Sequence, residues 1–139
     1  MRNCSIIFHT ASPFKLEIKD PVKELINPAL EGTKNVFASA NEIDSVKKIV
    51  LTSSVAAMYT DASECKNLSN NEITELTWNK TASINYQPYS YSKTLAEKEA
   101  WSLHKKQSKW ELVVINPSLV LGPFPNATHT LSLIHISEP

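Results

Sequence analysis

Three short runs of apolar and β-branched residues punctuate the chain, at residues 5–11 (SIIFHTA), 47–54 (KKIVLTSS) and 110–118 (WELVVINPS). Each ends in small or polar residues, a pattern that predicts strands buried in a parallel sheet. Between the first two, Val22, Leu25, Ile26, Ala29, Leu30, Val36, Phe37 and Ala40 form an approximate helical stripe. Pro28 falls inside it and is expected to kink or delay the helix, because a proline has no N–H for the ladder and its ring crowds the preceding turn. A polar stretch over residues 60–87 then reads as a long excursion, followed by a helix from about 88 to 107. Pro88 suits a first helical position, where its missing N–H would be unpaired anyway. Strand, helix, strand, helix, strand predicts an α/β fold with right-handed crossovers and an open, doubly wound parallel sheet.

Composition narrows the function classes. An apolar content of 42% is ordinary for a globular chain of 139 residues, which points to one ordered domain or part of one. Fourteen basic residues balance fourteen acidic ones, so the electrostatic footprint of a nucleic-acid or membrane-surface binder is missing and a small-molecule partner is expected. No apolar stretch is long enough to cross a bilayer or to serve as a secretory signal, and the expected address is the cytoplasm. Cys4 and Cys65 offer neither a disulfide framework nor metal-ligand spacing, and no metal site is expected. Asn-x-Ser/Thr triplets at Asn3, Asn67, Asn79 and Asn126 are expected to stay unmodified.

The chemistry is concentrated in PYSYSK, residues 88–93. Tyr89, Lys93, Ala96, Ala100 and Leu103 follow helical steps and share one face. Three of the five are packing residues, so a lysine on that face should either extend its ammonium outward or be held by a specific partner, since burying it unpaired is costly. A tyrosine four before a lysine is common by chance, and its context is what strengthens it. Ser53 and Ser54 end one strand-like run and Thr10, Ala11 and Ser12 end another, which places both groups near the carboxyl edge of the sheet, where open α/β folds bind ligands. A carbonyl that receives hydride develops negative charge on oxygen. A tyrosine O–H can supply the proton while a serine O–H hydrogen-bonds the same oxygen, and a nearby ammonium would lower the tyrosine pKa from about 10.

At these residues the chain resembles the extended short-chain dehydrogenase/reductases, in the branch similar to dihydroflavonol reductases, cinnamoyl-CoA reductases and microbial aldehyde or ketone reductases. The resemblance rests on IIFHTASPF, DPVKELINPALEGTKNV, VKKIVLTSSVAAMY, PYSYSKTLAEKEAW and WELVVINPSLVLGP, in family order over about residues 6–123. It implies Ser54 as catalytic serine, Tyr89 as proton donor, and Lys93 as the group that lowers the tyrosine pKa and holds the nicotinamide ribose. It further implies that Thr10, Ala11 and Ser12 line the dinucleotide, and that Pro117, Ser118, Leu119 and Val120 form the loop behind the nicotinamide. NADP(H) is favoured over NAD(H), and the substrate would be a small carbonyl or alcohol. Tyr59 stands where flavonoid-reducing relatives carry a substrate-binding asparagine, which argues against a flavonoid.

Two departures shape the expected domain organisation. Only Gly32 and Gly122 are glycines, so the Gly-rich pyrophosphate turn of a dinucleotide fold is missing. Residues 1–130 are therefore read as the C-terminal part of a Rossmann-type NAD(P)-binding domain, holding its later strands and helices with an open edge where the first strand belongs. Residues 131–139 (LSLIHISEP) could form a short strand, but they match the translated end of a transposase-based sequencing adapter and are read as a non-native tail. The chain is then expected to be an inactive fragment of a reductase. A 3β-hydroxysteroid dehydrogenase, a sugar-nucleotide epimerase or dehydratase, and a non-catalytic fragment stand as alternatives.

Overall fold

The computed structural model describes residues 1, 3–15 and 17–120. The tail expected at 131–139, and Gly122, lie outside the described residues. Three strands, β1 (Ile6–His9), β2 (Lys48–Thr52) and β3 (Glu111–Ile115), form a parallel sheet in the order β1-β2-β3. Phe8 pairs with Val50 and Val50 with Val113, so side chains of like level face the same way across the sheet. The strands are shorter than the apolar runs, yet the ladder runs on past them: Ser53 N–H donates to the Ile115 carbonyl at 2.8 Å and Val55 N–H to that of Pro117 at 3.0 Å. This keeps the polar strand ends in register.

Alternation decides which face is covered. Ile49, Leu51 and Leu112 point into a core with Phe37 and Ala40 of α1 (Asn27–Asn41), Ala100 of α2 (Pro88–His104), Val46 and Trp110. Phe37 meets Trp110 edge to face at 5.2 Å, and the indole N–H donates to Asn41 Oδ1 at 2.8 Å. Full burial of each large apolar side chain contributes roughly 1.5–3 kcal/mol. The opposite face carries Ile6, Phe8, Val113 and Ile115, all exposed, Phe8 by 71%. A Lys48–Glu111 ion pair at 3.2 Å crosses its lower row.

Pro28 does not interrupt the first helix. A π-helical turn, Val22–Ile26, precedes α1 and runs straight into it, with Asn27 N–H donating to the Val22 carbonyl. The wider turn accommodates a proline that has no N–H to give and whose ring would crowd the carbonyl four residues back. The second helix begins at Pro88 as its sequence predicts, but ends at His104 rather than Gln107. Gln107 closes the turn into β3: its carbonyl oxygen accepts from the N–H groups of Lys109 and Trp110, and its amide donates to the carbonyls of His104 and Trp110.

The polar excursion contains short 3₁₀ turns, Ala62–Asn67 and Ser69–Asn71, and an isolated antiparallel bridge between Ser83 and Tyr86. Asp61 and Glu64 form a reciprocal cap at its start. Asn79, 5% exposed, clasps it to the body. The Asn79 side-chain amide donates to the Ala56 carbonyl at 2.9 Å and to Thr60 Oγ1 at 2.8 Å, while its Oδ1 accepts from the N–H groups of Thr81 and Ala82. Every polar atom of that buried side chain is thereby satisfied. Among the described residues no helix is long and apolar enough to cross a membrane.

Candidate active site

The carboxyl ends of all three strands deliver residues to one edge. His9 ends β1 and Thr10, Ala11 and Ser12 follow it; Ser53 and Ser54 follow β2; Asn116 and then Pro117, Ser118, Leu119 and Val120 follow β3. Ser54 has extended backbone angles and caps the 3₁₀ turn Val55–Ala57, its hydroxyl accepting from Ala56 N–H at 3.2 Å. Tyr89 and Lys93 stand one turn apart at the start of α2, a helix that opens from Gln87 in the left-handed region at φ 54°.

The structure brings Ser54, Tyr89 and Lys93 together. The Ser54 hydroxyl reaches the Tyr89 phenol closely enough to act on its ionisation, and the Lys93 ammonium lies 5.7 Å from the centre of the tyrosine ring. Phe14 braces the same ring edge to face at 5.2 Å. Burial pushes the Tyr89 pKa above its ordinary value of 10, and the Ser54 hydroxyl works against that rise. The lowering of this pKa expected from Lys93 is not found: burial is the largest influence on the phenol, and Ser54 is the group that pulls against it. The lysine is itself buried, 6% exposed, which lowers its pKa, while the Glu97 carboxylate pulls it back up.

Of the residues behind this trio, sequence reasoning placed Ser53 at the carboxyl edge and gave no role to His9, Glu97 or Asn116. His9 is buried, and burial followed by repulsion from Lys93 lowers its pKa. Ser53, beside Ser54 but turned the other way by strand alternation, buries a hydroxyl with no hydrogen-bond partner. His9, Ala11, Ser12, Thr33, Ser53 and Lys93 border a cavity of about 10 Å³, room for one water-sized group. Glu97 was legible in principle, since it continues the steps of four from Tyr89 and Lys93. Asn116, at a strand end, had no such signal.

Thr10, Ala11, Ser118, Leu119 and Val120 are exposed along the carboxyl edge, with Leu119 at 56% and Val120 at 68%. Tyr59 is half-buried and borders a separate groove of about 510 Å³, shared with Met58, Leu76 and Trp78. The donor set suits a dinucleotide's nicotinamide end: Lys93 and Tyr89 offer an ammonium and a hydroxyl to ribose oxygens, and two exposed strand-end segments flank them. No described segment offers a glycine-rich turn for a pyrophosphate.

A parallel three-stranded sheet with helices between its strands and a polar cluster on its carboxyl edge defines a partial Rossmann-like fold. More particularly, the chain belongs to the NAD-binding family described as male sterility protein, which it matches over residues 1–137. It is 42% identical over 126 residues to cinnamoyl-CoA reductase CAD2 of Medicago truncatula, covering 88% of this chain and 37% of that protein. It is 38% identical over 130 residues to the NADPH-dependent methylglyoxal reductase GRE2 of Saccharomyces cerevisiae, covering 88% and 38%. Among solved structures, yeast methylglyoxal/isovaleraldehyde reductase Gre2 complexed with NADPH superposes with a TM-score of 0.77 at 35% identity, over 90% of this chain and 39% of that one. The chain thus spans about two fifths of the length of these relatives.

Proposed function

We propose that the chain carries the proton-transfer part of an NADPH-dependent reductase that converts an aldehyde or ketone to an alcohol. The observation that carries this reading is the gathering of Ser54, Tyr89 and Lys93 at the carboxyl edge of a parallel sheet, with Ser54 acting on the phenol and the ammonium 5.7 Å from the ring centre. The NADPH-dependent yeast relative and its NADPH-bound structure support the choice of cofactor.

In this reading bound NADPH supplies a hydride to the carbonyl carbon. The Ser54 hydroxyl holds the carbonyl oxygen, and the Tyr89 hydroxyl gives that oxygen its proton as charge develops there. The phenol is protonated at neutral pH, the form that can donate, and the Ser54 hydroxyl works against the rise in pKa that burial brings. Lys93 holds the ribose hydroxyls and offsets the negative charge left on the phenol oxygen before water reprotonates it. Thr10, Ala11 and Ser12 on one side, and Pro117, Ser118, Leu119 and Val120 on the other, form the walls of the cofactor slot. Tyr59 and its groove stand on the substrate side.

The pyrophosphate-binding segment of such a reductase has no counterpart among the described residues, so we propose that the 139-residue chain alone does not turn over. The test uses a reading frame extended to the length of the relatives, assayed with NADPH and a panel of small aldehydes and ketones. Tyr89→Phe is expected to cut kcat by roughly a hundredfold or more and to weaken NADPH binding far less, since Lys93 still holds the ribose. Turnover that survives the substitution would remove Tyr89 as proton donor.

A further inference from the structure

We propose that Glu97 is a positioning residue of this site, stabilising the Lys93 charge from one turn along the same helix and holding the Ser54 backbone through Asn116. The role in catalysis rests on the reading above; the two ties themselves do not.

Glu97 is a carboxylate on α2 with 7% exposure. Such burial costs several kcal/mol unless opposite charge and hydrogen bonds offset it. Both are present. Asn116, just past β3, donates one amide to Glu97 Oε2 at 2.8 Å and, from the same nitrogen, to the Ser54 carbonyl at 3.0 Å. That nitrogen therefore joins the helix bearing Tyr89 and Lys93 to the strand end bearing Ser54. The second offset is Lys93, one turn back on the same helix face.

The surroundings of Lys93 leave the carboxylate without a rival. From β1 it faces His9, which repels it; from α2 it faces Tyr89 and Glu97; α1 and β2 contribute the uncharged Thr33, Thr52 and Ser53. Among the described residues Glu97 is the anion that acts on it. A glutamine would satisfy Asn116 equally well, so the hydrogen bond alone does not call for a buried charge. The lysine does.

The experiment follows Lys93 itself by NMR in the 139-residue chain, titrating its side-chain ε-carbon resonance, and needs neither substrate nor cofactor. Glu97→Gln keeps the size and the acceptor for Asn116 but removes the charge. The expected result is an unchanged far-UV circular dichroism spectrum with the Lys93 midpoint moved to lower pH, because the ammonium has lost its stabilising anion. An unmoved midpoint overturns the charge tie. Asn116→Leu cuts the bridge and keeps the charge: the Ser54 carbonyl resonance should shift, and one that stays put overturns the second tie. If Glu97→Gln does not fold, a double-mutant cycle of Lys93→Met and Glu97→Leu reads the same coupling from melting temperatures. Glu97→Leu should then destabilise less in the Lys93→Met background than in the parent chain, and equal losses overturn the proposal. Surviving turnover in Tyr89→Phe would sink the catalytic reading while leaving these titrations standing, so the two failures are distinguishable.

Discussion

His9 shows how one buried side chain sets a pH limit on the fold. Its pKa lies below 6.5 because the folded protein buries the ring and presents Lys93 to it. The unfolded chain therefore binds the proton first, and stability falls as pH drops from about 6.5 through the lower folded value. Asp20, Glu24, Asp44 and Asp61, held below their ordinary values by hydrogen bonds and nearby lysines, titrate well under that window. Melting curves between about pH 5 and 7 should thus show a decline that His9→Gln flattens; an identical slope in the variant would mean that another group is responsible. Tyr89, Ser54 and Lys93 were legible at this scale because their chemistry and spacing are unusual in combination. His9 and Asn116 were not, and Ser53 was placed at the sheet edge without a role, since a residue at a strand end gains its meaning only when other strands are laid beside it.

At the scale of elements, the helix opening at residue 88 carries a local strain that its sequence hides. Gln87 adopts φ 54° and ψ 58°, makes no side-chain capping bond and precedes a proline. A β-carbon in the left-handed region costs roughly 1–2 kcal/mol, part of which glycine would return through its own greater loss of chain entropy. Gln87→Gly is accordingly expected to stabilise the chain by a few tenths of a kcal/mol to about 1 kcal/mol, read as a higher denaturation midpoint in urea. A lower midpoint would show that the glutamine contributes something in the folded state beyond its backbone. Element identity was readable from periodicity and from Pro88, whereas two boundaries were not. The π-helical turn before Pro28 and the Gln107 turn that stops α2 early are tertiary solutions, and local propensity contains neither.

For the whole molecule, the bare sheet face has the largest consequence. Ile6, Phe8, Val113 and Ile115 are exposed together on one side, and among the described residues β1 is paired on one edge only. The isolated chain should self-associate as its concentration rises, and Phe8→Lys should suppress that association in light scattering without lowering the melting temperature. A parent chain that stays monomeric at high concentration would contradict this. The parallel order of the sheet followed from the alternation of strands and helices, and the open edge from the scarcity of glycine, so the sequence conveyed the topology better than it conveyed the side-chain network inside.

The clasp at Asn79 extends beyond packing. The residue lies in an Asn-Lys-Thr triplet, and its amide nitrogen is committed to Ala56 and Thr60 once the excursion closes. A glycosyltransferase could reach that nitrogen only on a chain still open, whereas Asn67, in a similar triplet, stays exposed after closure. Routed experimentally through a secretory pathway, the chain should gain sugar readily at Asn67 and at Asn79 only when folding is slowed, so that the ratio of the two, measured by mass spectrometry, becomes a clock for maturation. Equal occupancy under all conditions would mean that the clasp closes too late to matter.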